Sequence, residues 1–167
     1  MLPPLVRLTS PARRGLRAFR GAVAFAVVAV SLAGCAATTE MGPPSPTPTD
    51  FQGIAERLSA RGIVVQDVVS GEAGCDDPDL VPTAIAFTAH GLDQSDPMPI
   101  HLYVFRNSDS YSRLRTAVDS CAATYITDPA GYESIDADPF VLTAQGPWPQ
   151  RFEQAVRDAL QSAAAGG

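Results

Sequence analysis

Pro82 to Arg106 reads PTAIAFTAHGLDQSDPMPIHLYVFR, and the fold is decided by how this stretch is read. Two β-rich runs, 82–90 and 99–106, flank a polar segment with Gly91 and Pro97, which is the pattern of two antiparallel strands joined by a loop. Pairing Ile85 with Val104, Phe87 with Leu102 and Ala89 with Ile100 puts one apolar face on a core. The opposite face then carries Thr88 beside His101, Ala86 beside Tyr103 and Ala84 beside Phe105.

Working outward, Ile63 to Val69 is β-branched and predicts a further strand. Before it, Phe51, Ile54, Ala55 and Leu58 recur at helical spacing, with Thr49 or Asp50 as cap and Gly62 at the end, so 50–61 predicts a helix. After the hairpin, Asn107-Ser-Asp-Ser is a capping sequence. Tyr111, Leu114, Val118, Cys121 and Ala122 follow at helical spacing and predict a helix over 109–125. Phe140 to Ala144 reads as a short strand, and Phe152, Val156 and Leu160 mark a last amphipathic helix with proline near its first turn. The order is αβββαβα. Strand, helix, strand over 99–144 looks like a βαβ crossover, so the expectation is a small single α+β domain. It would have a mixed four-stranded sheet and helices mainly on one face.

The domain, residues 50–167, follows two segments of other character. Arg7, Arg13, Arg14, Arg17 and Arg20 precede a 14-residue apolar stretch, Gly21 to Gly34, shorter than the roughly 20 residues a membrane-spanning helix needs. A basic flank, a short apolar core and small residues at its end describe an export signal. Leu32-Ala33-Gly34-Cys35 resembles the lipobox of bacterial lipoproteins. That resemblance implies cleavage after residue 34 and a diacylglycerol on Cys35, whose two acyl chains give stable membrane attachment. Ala12-Arg13-Arg14-Gly15-Leu16 partly resembles a twin-arginine motif, which leaves the export route open between that and the general secretory one. Residues 35–49 contain Pro43, Pro44, Pro46 and Pro48 and read as an extended tether. The expected location is the extracytoplasmic face of the cell membrane.

Ile100-His-Leu-Tyr-Val-Phe105 running into a capped helix, then Asp138-Pro-Phe-Val-Leu142, then Gly146-Pro-Trp-Pro149 and a C-terminal amphipathic helix, is similar to small uncharacterised lipoproteins of actinobacteria. The similarity spans roughly residues 51–161 and the lipobox. It implies a compact α+β domain and no site residues.

Beyond Gly34 there are 7 basic against 18 acidic residues and no lysine, a formal charge of −11. That balance opposes binding to nucleic acid or to anionic headgroups. With Cys35 lipidated, Cys75 and Cys121 remain as an even pair in an exported chain, which predicts one disulfide.

Asp76, Asp77 and Asp79, with Asp93, Asp96, Asp136 and Asp138 elsewhere, supply oxygen ligands. They lack the spacing of a calcium loop, and a solvated acidic loop is the reading. His90 and His101 would be diagonal neighbours under the pairing above, two ligands where a structural site wants four, so no metal is expected. No G-x-S-x-G, S-x-x-K or paired Cys and His appears, and neither an enzyme nor a cofactor is expected. Tyr103 and Phe105, with Trp148, offer either a second packed layer or a candidate contact surface for a partner or glycan. The functional expectation is an envelope protein acting by protein contact as an accessory or assembly factor. A small-ligand or wall-glycan binding module is the alternative.

Overall fold

A computed structural model describes residues 49–166. The expected signal segment 1–34, the expected lipidation site Cys35 and the expected tether as far as residue 48 lie outside the described residues. Three helices, α1 (Phe51–Ser59), α2 (Ser108–Tyr125) and α3 (Gln150–Ala164), surround a five-stranded antiparallel sheet. Its strands are β1 (Ile63–Ser70), β2 (Ala84–Gly91), β3 (Gln94–Val104), β4 (Tyr132–Ala137) and β5 (Phe140–Gln145), in the spatial order β1-β2-β3-β5-β4. No helix among the described residues is long and apolar enough to cross a membrane.

The α+β class is as expected, and three finer expectations are corrected. First, the sheet has five strands and no parallel pair. β4, YESIDA, buries only Ile135 and carries Glu133, Ser134 and Asp136, residues without strand preference. It pairs because its neighbour β5 is buried from Phe140 to Ala144 on both faces. After α2 the chain enters β4 in the direction of β3, and β5 then returns antiparallel between the two. The crossover is thus split by an inserted strand.

Second, the hairpin register is displaced by two residues. Ile85 faces Leu102, Phe87 faces Ile100 and Ala89 faces Met98. The loop expected over 91–97 is a tight turn in which Gly91 pairs with Gln94, and β3 begins at Gln94. Gly91 has φ 134°, and a Cβ there would overlap the Gly62 carbonyl oxygen, so only glycine fits this turn. A slip of two preserves which residues share a face.

Third, helices pack on both faces. Phe87, Ile100, Leu102, Phe140 and Leu142 form one core with Ile54 and Leu58 of α1 and Phe152, Val156 and Leu160 of α3. Ala84, Tyr103, Phe105 and Val141 form a second with Leu114, Val118 and Cys121 of α2. In its second half β3 places Ile100 and Leu102 on one face and Tyr103 on the other, so both faces need cover there.

Helix starts follow local chemistry at two of three ends. Asp50 Oδ1 accepts from Gly53 N at 2.7 Å, and Asn107 Oδ1 accepts from Ser110 N at 2.9 Å. α3 follows Pro149, which has no capping side chain. Its free N–H groups are met from outside: the Asp93 carboxylate, in the β2–β3 turn, accepts from Arg151 N at 3.0 Å and Phe152 N at 2.8 Å. Desolvation works against that carboxylate, but these two donors and the Arg151 charge hold its pKa below the usual value.

Candidate functional site

Register places side chains of the α2-side face in rows. One row runs Ala84, Tyr103, Val141, Asp136 across β2, β3, β5 and β4, and the next runs Val69, Ala86, His101, Thr143, Ser134 across all five strands. α2 covers the β3-β5-β4 side of these rows. Arg115 fixes it there: its guanidinium donates to both carboxylate oxygens of Asp136, to Asp119 Oδ1 at 2.6 Å and to Ser134 Oγ at 3.1 Å. Burial opposes charge on Arg115, yet the hydrogen bonds from it to Asp136 and Asp119 raise its pKa further. Tyr132 OH donates to Asp119 at 2.7 Å. Burial first, and then this bond, push Tyr132 up to about 12. Beside it is a hollow of about 160 Å³ lined by Ala122, Ala123, Ile126 and Pro129 as well.

At the C-terminal end of α2 lies a polar cluster. The Tyr125 ring stacks on His101 with centroids 4.2 Å apart, and its hydroxyl is 2.5 Å from Thr143 Oγ1. Tyr103 OH donates to Ala73 O at 2.7 Å. The loop 71–79 closes over this cluster, held by the Cys75–Cys121 disulfide, whose Cα atoms are 5.4 Å apart, and by Thr124 Oγ1 donating to Gly74 O at 2.9 Å. Gly74 has φ 79°, and a Cβ there would overlap the Tyr125 ring. Outside it is an open cleft of about 440 Å³ lined by Glu72, Gly74, Cys75, Asp76 and Thr124.

Burial pushes the pKa of Tyr103 and of Tyr125 up. His101 Nδ1 is buried without a hydrogen-bond partner. Burial lowers the His101 pKa below 6.5, and the negative charge of Glu72 only partly opposes this. Above pH 6.5 the ring is neutral folded or unfolded, and its contribution to stability is fully present. As pH falls through 6.5 toward the folded pKa, the unfolded chain binds the proton first and stability is lost. Thermal unfolding of the wild type between pH about 7.5 and about 5.5 should therefore show a falling midpoint, and His101→Gln should flatten the fall. An equal fall in both proteins would remove His101 as its source.

The two histidines do not meet. His101 lies opposite Ala86, and His90 is four residues farther along β2, opposite Val64, a displacement of about 13 Å along the strand. The expected diagonal pair depended on the slipped register. Among the described residues no group of three His, Cys, Asp or Glu side chains is placed to hold a metal ion.

The candidate contact surface Tyr103, Phe105 and Trp148 is corrected as well. The three are 0%, 3% and 6% exposed. Tyr103 and Phe105 belong to the α2-side core, while Trp148 lies in the opposite core, edge-on to Phe152 with centroids 5.4 Å apart. They are interior residues on opposite sides of the sheet.

Among the described residues, what is left uncovered is the β1–β2 half of the α2-side face, together with the outer edge of β1. Val64, Val68 and Val69 are 44%, 47% and 52% exposed. The ladder from β1 to β2 is interrupted between Gln66 and Val69, where Asp67 has φ 52° and accepts a hydrogen bond from Thr88 Oγ1 at 2.9 Å. A β-branched run ordinarily reads as an interior strand, so the valines gave no warning that this strand is an edge with one face bare. No protein family, curated protein or solved structure matches the chain.

Proposed function

We propose that this is a lipid-anchored protein of the cell envelope. Diacylglycerol on Cys35 holds it at the extracytoplasmic face of the membrane, and it acts by protein contact as an accessory or assembly factor. The observation that carries the contact reading is the bare β1–β2 face with Val64 and Val69 exposed on it. A sheet face that exposes valines and has no covering helix among the described residues is a surface that association with another protein would bury. The anchor reading rests on Leu32-Ala33-Gly34-Cys35 after a basic, then apolar, leader. A wall-glycan or small-ligand module has less support, because the aromatic side chains that would stack on a sugar, Tyr103, Phe105 and Trp148, are inside.

The test uses the full chain in cells, with a photo-crosslinking residue at Val69 and, on the other face, at the exposed Glu56 of α1. A reproducible adduct from Val69, absent from Glu56 and weakened by Cys35→Ala, is the expected result. Adducts from neither position would overturn the contact reading. Mass spectrometry of the mature protein should find a diacylated Cys35 at the N-terminus, and an intact Met1 would overturn the anchor.

A further inference from the structure

We infer that the open β1–β2 face receives a cationic, partly apolar polypeptide segment of a partner protein. The inference rests on the protein-contact reading above and adds to it the chemistry of the partner. Between Gly62 and Phe105 the chain has seven carboxylates, of which Asp93 is taken up by the start of α3, and neither lysine nor arginine, and this stretch comprises β1, β2, β3 and their connections. The arginines of the domain sit on the helices and their flanks. Among the described residues no strand carries a lysine or arginine, and the β1–β2 half of the α2-side face also lacks the helix whose Arg115 stands over the other half.

Two chemistries meet on that surface. Val64 and Val69 supply exposed apolar area on either side of Gln66, beside the half-buried Ala86, Thr88 and His90 of β2. Asp67 stands at the edge of the same face, its carboxylate lying across Thr88. An occupant that buries the valines must bring its own side chains beside the carboxylates of Asp67 and, just after β1, Glu72, whose charge reaches His101 in the same row as Val69, and cations satisfy them where anions would add repulsion. This disfavours a second copy of the chain, because two acidic faces would be apposed. It disfavours nucleic acid and anionic lipid for the same reason.

The way the segment sits is also constrained. Regular addition of a strand needs an uninterrupted edge, and the bulge at Asp67 and Val68 breaks it in the middle of β1. Contact is accordingly made through side chains on the face more than by backbone pairing along the whole edge. A partner with alternating apolar and basic side chains matches both the valines and the carboxylates of Asp67 and Glu72.

The test measures binding of the full-length chain, in detergent micelles, to two synthetic peptides, one alternating lysine with valine and one alternating glutamate with valine. The lysine peptide should bind, and binding should weaken at high salt because exposed charges are screened. Val64→Ser with Val69→Ser should weaken it about tenfold, the equivalent of about 1.4 kcal/mol, and Asp67→Asn should weaken it and reduce its salt dependence. All three positions are exposed, and circular dichroism should show that the variants remain folded. Glu56→Gln, on the opposite face, should leave binding unchanged. Equal or tighter binding of the glutamate peptide, no binding of the lysine peptide, or lysine-peptide binding indifferent to the substitutions would each overturn the inference. Failure here with a Val69 adduct still formed in cells would leave the contact reading standing with a partner of other chemistry. Loss of that adduct would remove the contact reading itself.

Discussion

Replacing Cys75 and Cys121 together with alanine is expected to lower the free energy of unfolding by about 4 kcal/mol, from the entropy an open 46-residue loop gains in the unfolded chain. For a domain whose whole stability lies in the range of about 5–15 kcal/mol, that is a large share. The bridged segment holds β2, β3 and much of α2. Its constraint thus restricts the hairpin and the helix that packs behind it. In the folded state, Tyr103 OH to Ala73 O and Thr124 Oγ1 to Gly74 O remain as ties on the 71–79 loop. The loop should consequently stay docked while the domain as a whole becomes easier to unfold. Urea titration followed by fluorescence of Trp148, the single tryptophan, measures the loss. A decrease below about 1 kcal/mol would show that the unfolded chain is already confined by other means.

On the other face of the sheet, Phe152→Ala should cost about 4 kcal/mol, within the range found for buried aromatics. Phe152 is fully buried in the first turn of α3, edge-on to Trp148 and in the same core as Leu160, Val156 and Ile54. Truncation removes transfer energy and leaves a void among residues from α1, α3 and the sheet, which no single neighbour can fill. The Asp93 cap should survive, because it uses the backbone N–H of residue 152 and not its side chain. Circular dichroism during thermal unfolding should show a lower midpoint with native helix content retained. A loss under about 1.5 kcal/mol would mean that α3 shifts to close the void. The disulfide and Phe152 lie in cores separated by the sheet, so combining the changes should give nearly the sum of the separate losses.

Much of the secondary structure was legible because a local pattern encodes it. α1, α2 and α3 follow the periods Phe51-Ile54-Leu58, Leu114-Val118-Cys121 and Phe152-Val156-Leu160. β1, β2, β3 and β5 follow runs of β-branched and aromatic residues. β4 was not legible, because an edge strand with one buried side chain needs no apolar alternation; the buried β5 beside it supplies what its own sequence lacks. Register was legible only to parity. The burial pattern of β2 and β3 repeats every two residues, so a two-residue slip satisfies it equally, and the tight turn at Gly91 to Gln94 chooses between the alternatives.

The candidate site was less legible for the same reason. The cysteine pairing could be expected from counting, since it needed only two cysteines left after Cys35. The metal-like proximity of His90 and His101 depended on register and vanished with the slip. The aromatic surface depended on which face of the sheet lacked helices. Tyr103 and Phe105 were on the face correctly distinguished from Phe87 and Leu102, but α2 covers their side of it and leaves the β1–β2 side bare.

Composition, the basic and then apolar pattern ahead of Cys35, the charge balance, the identity of the helices and most of the strands, and the parity of the β2–β3 hairpin can all be read from the residues themselves or from near neighbours in the chain. The insertion of β5 between β3 and β4, the capping of α3 by Asp93 from a turn 58 residues earlier, the burial of Trp148 and the exposure of Val64 and Val69 were decided only by tertiary structure. Each depends on which distant segment arrives beside it, and local propensity contains no information about that arrival.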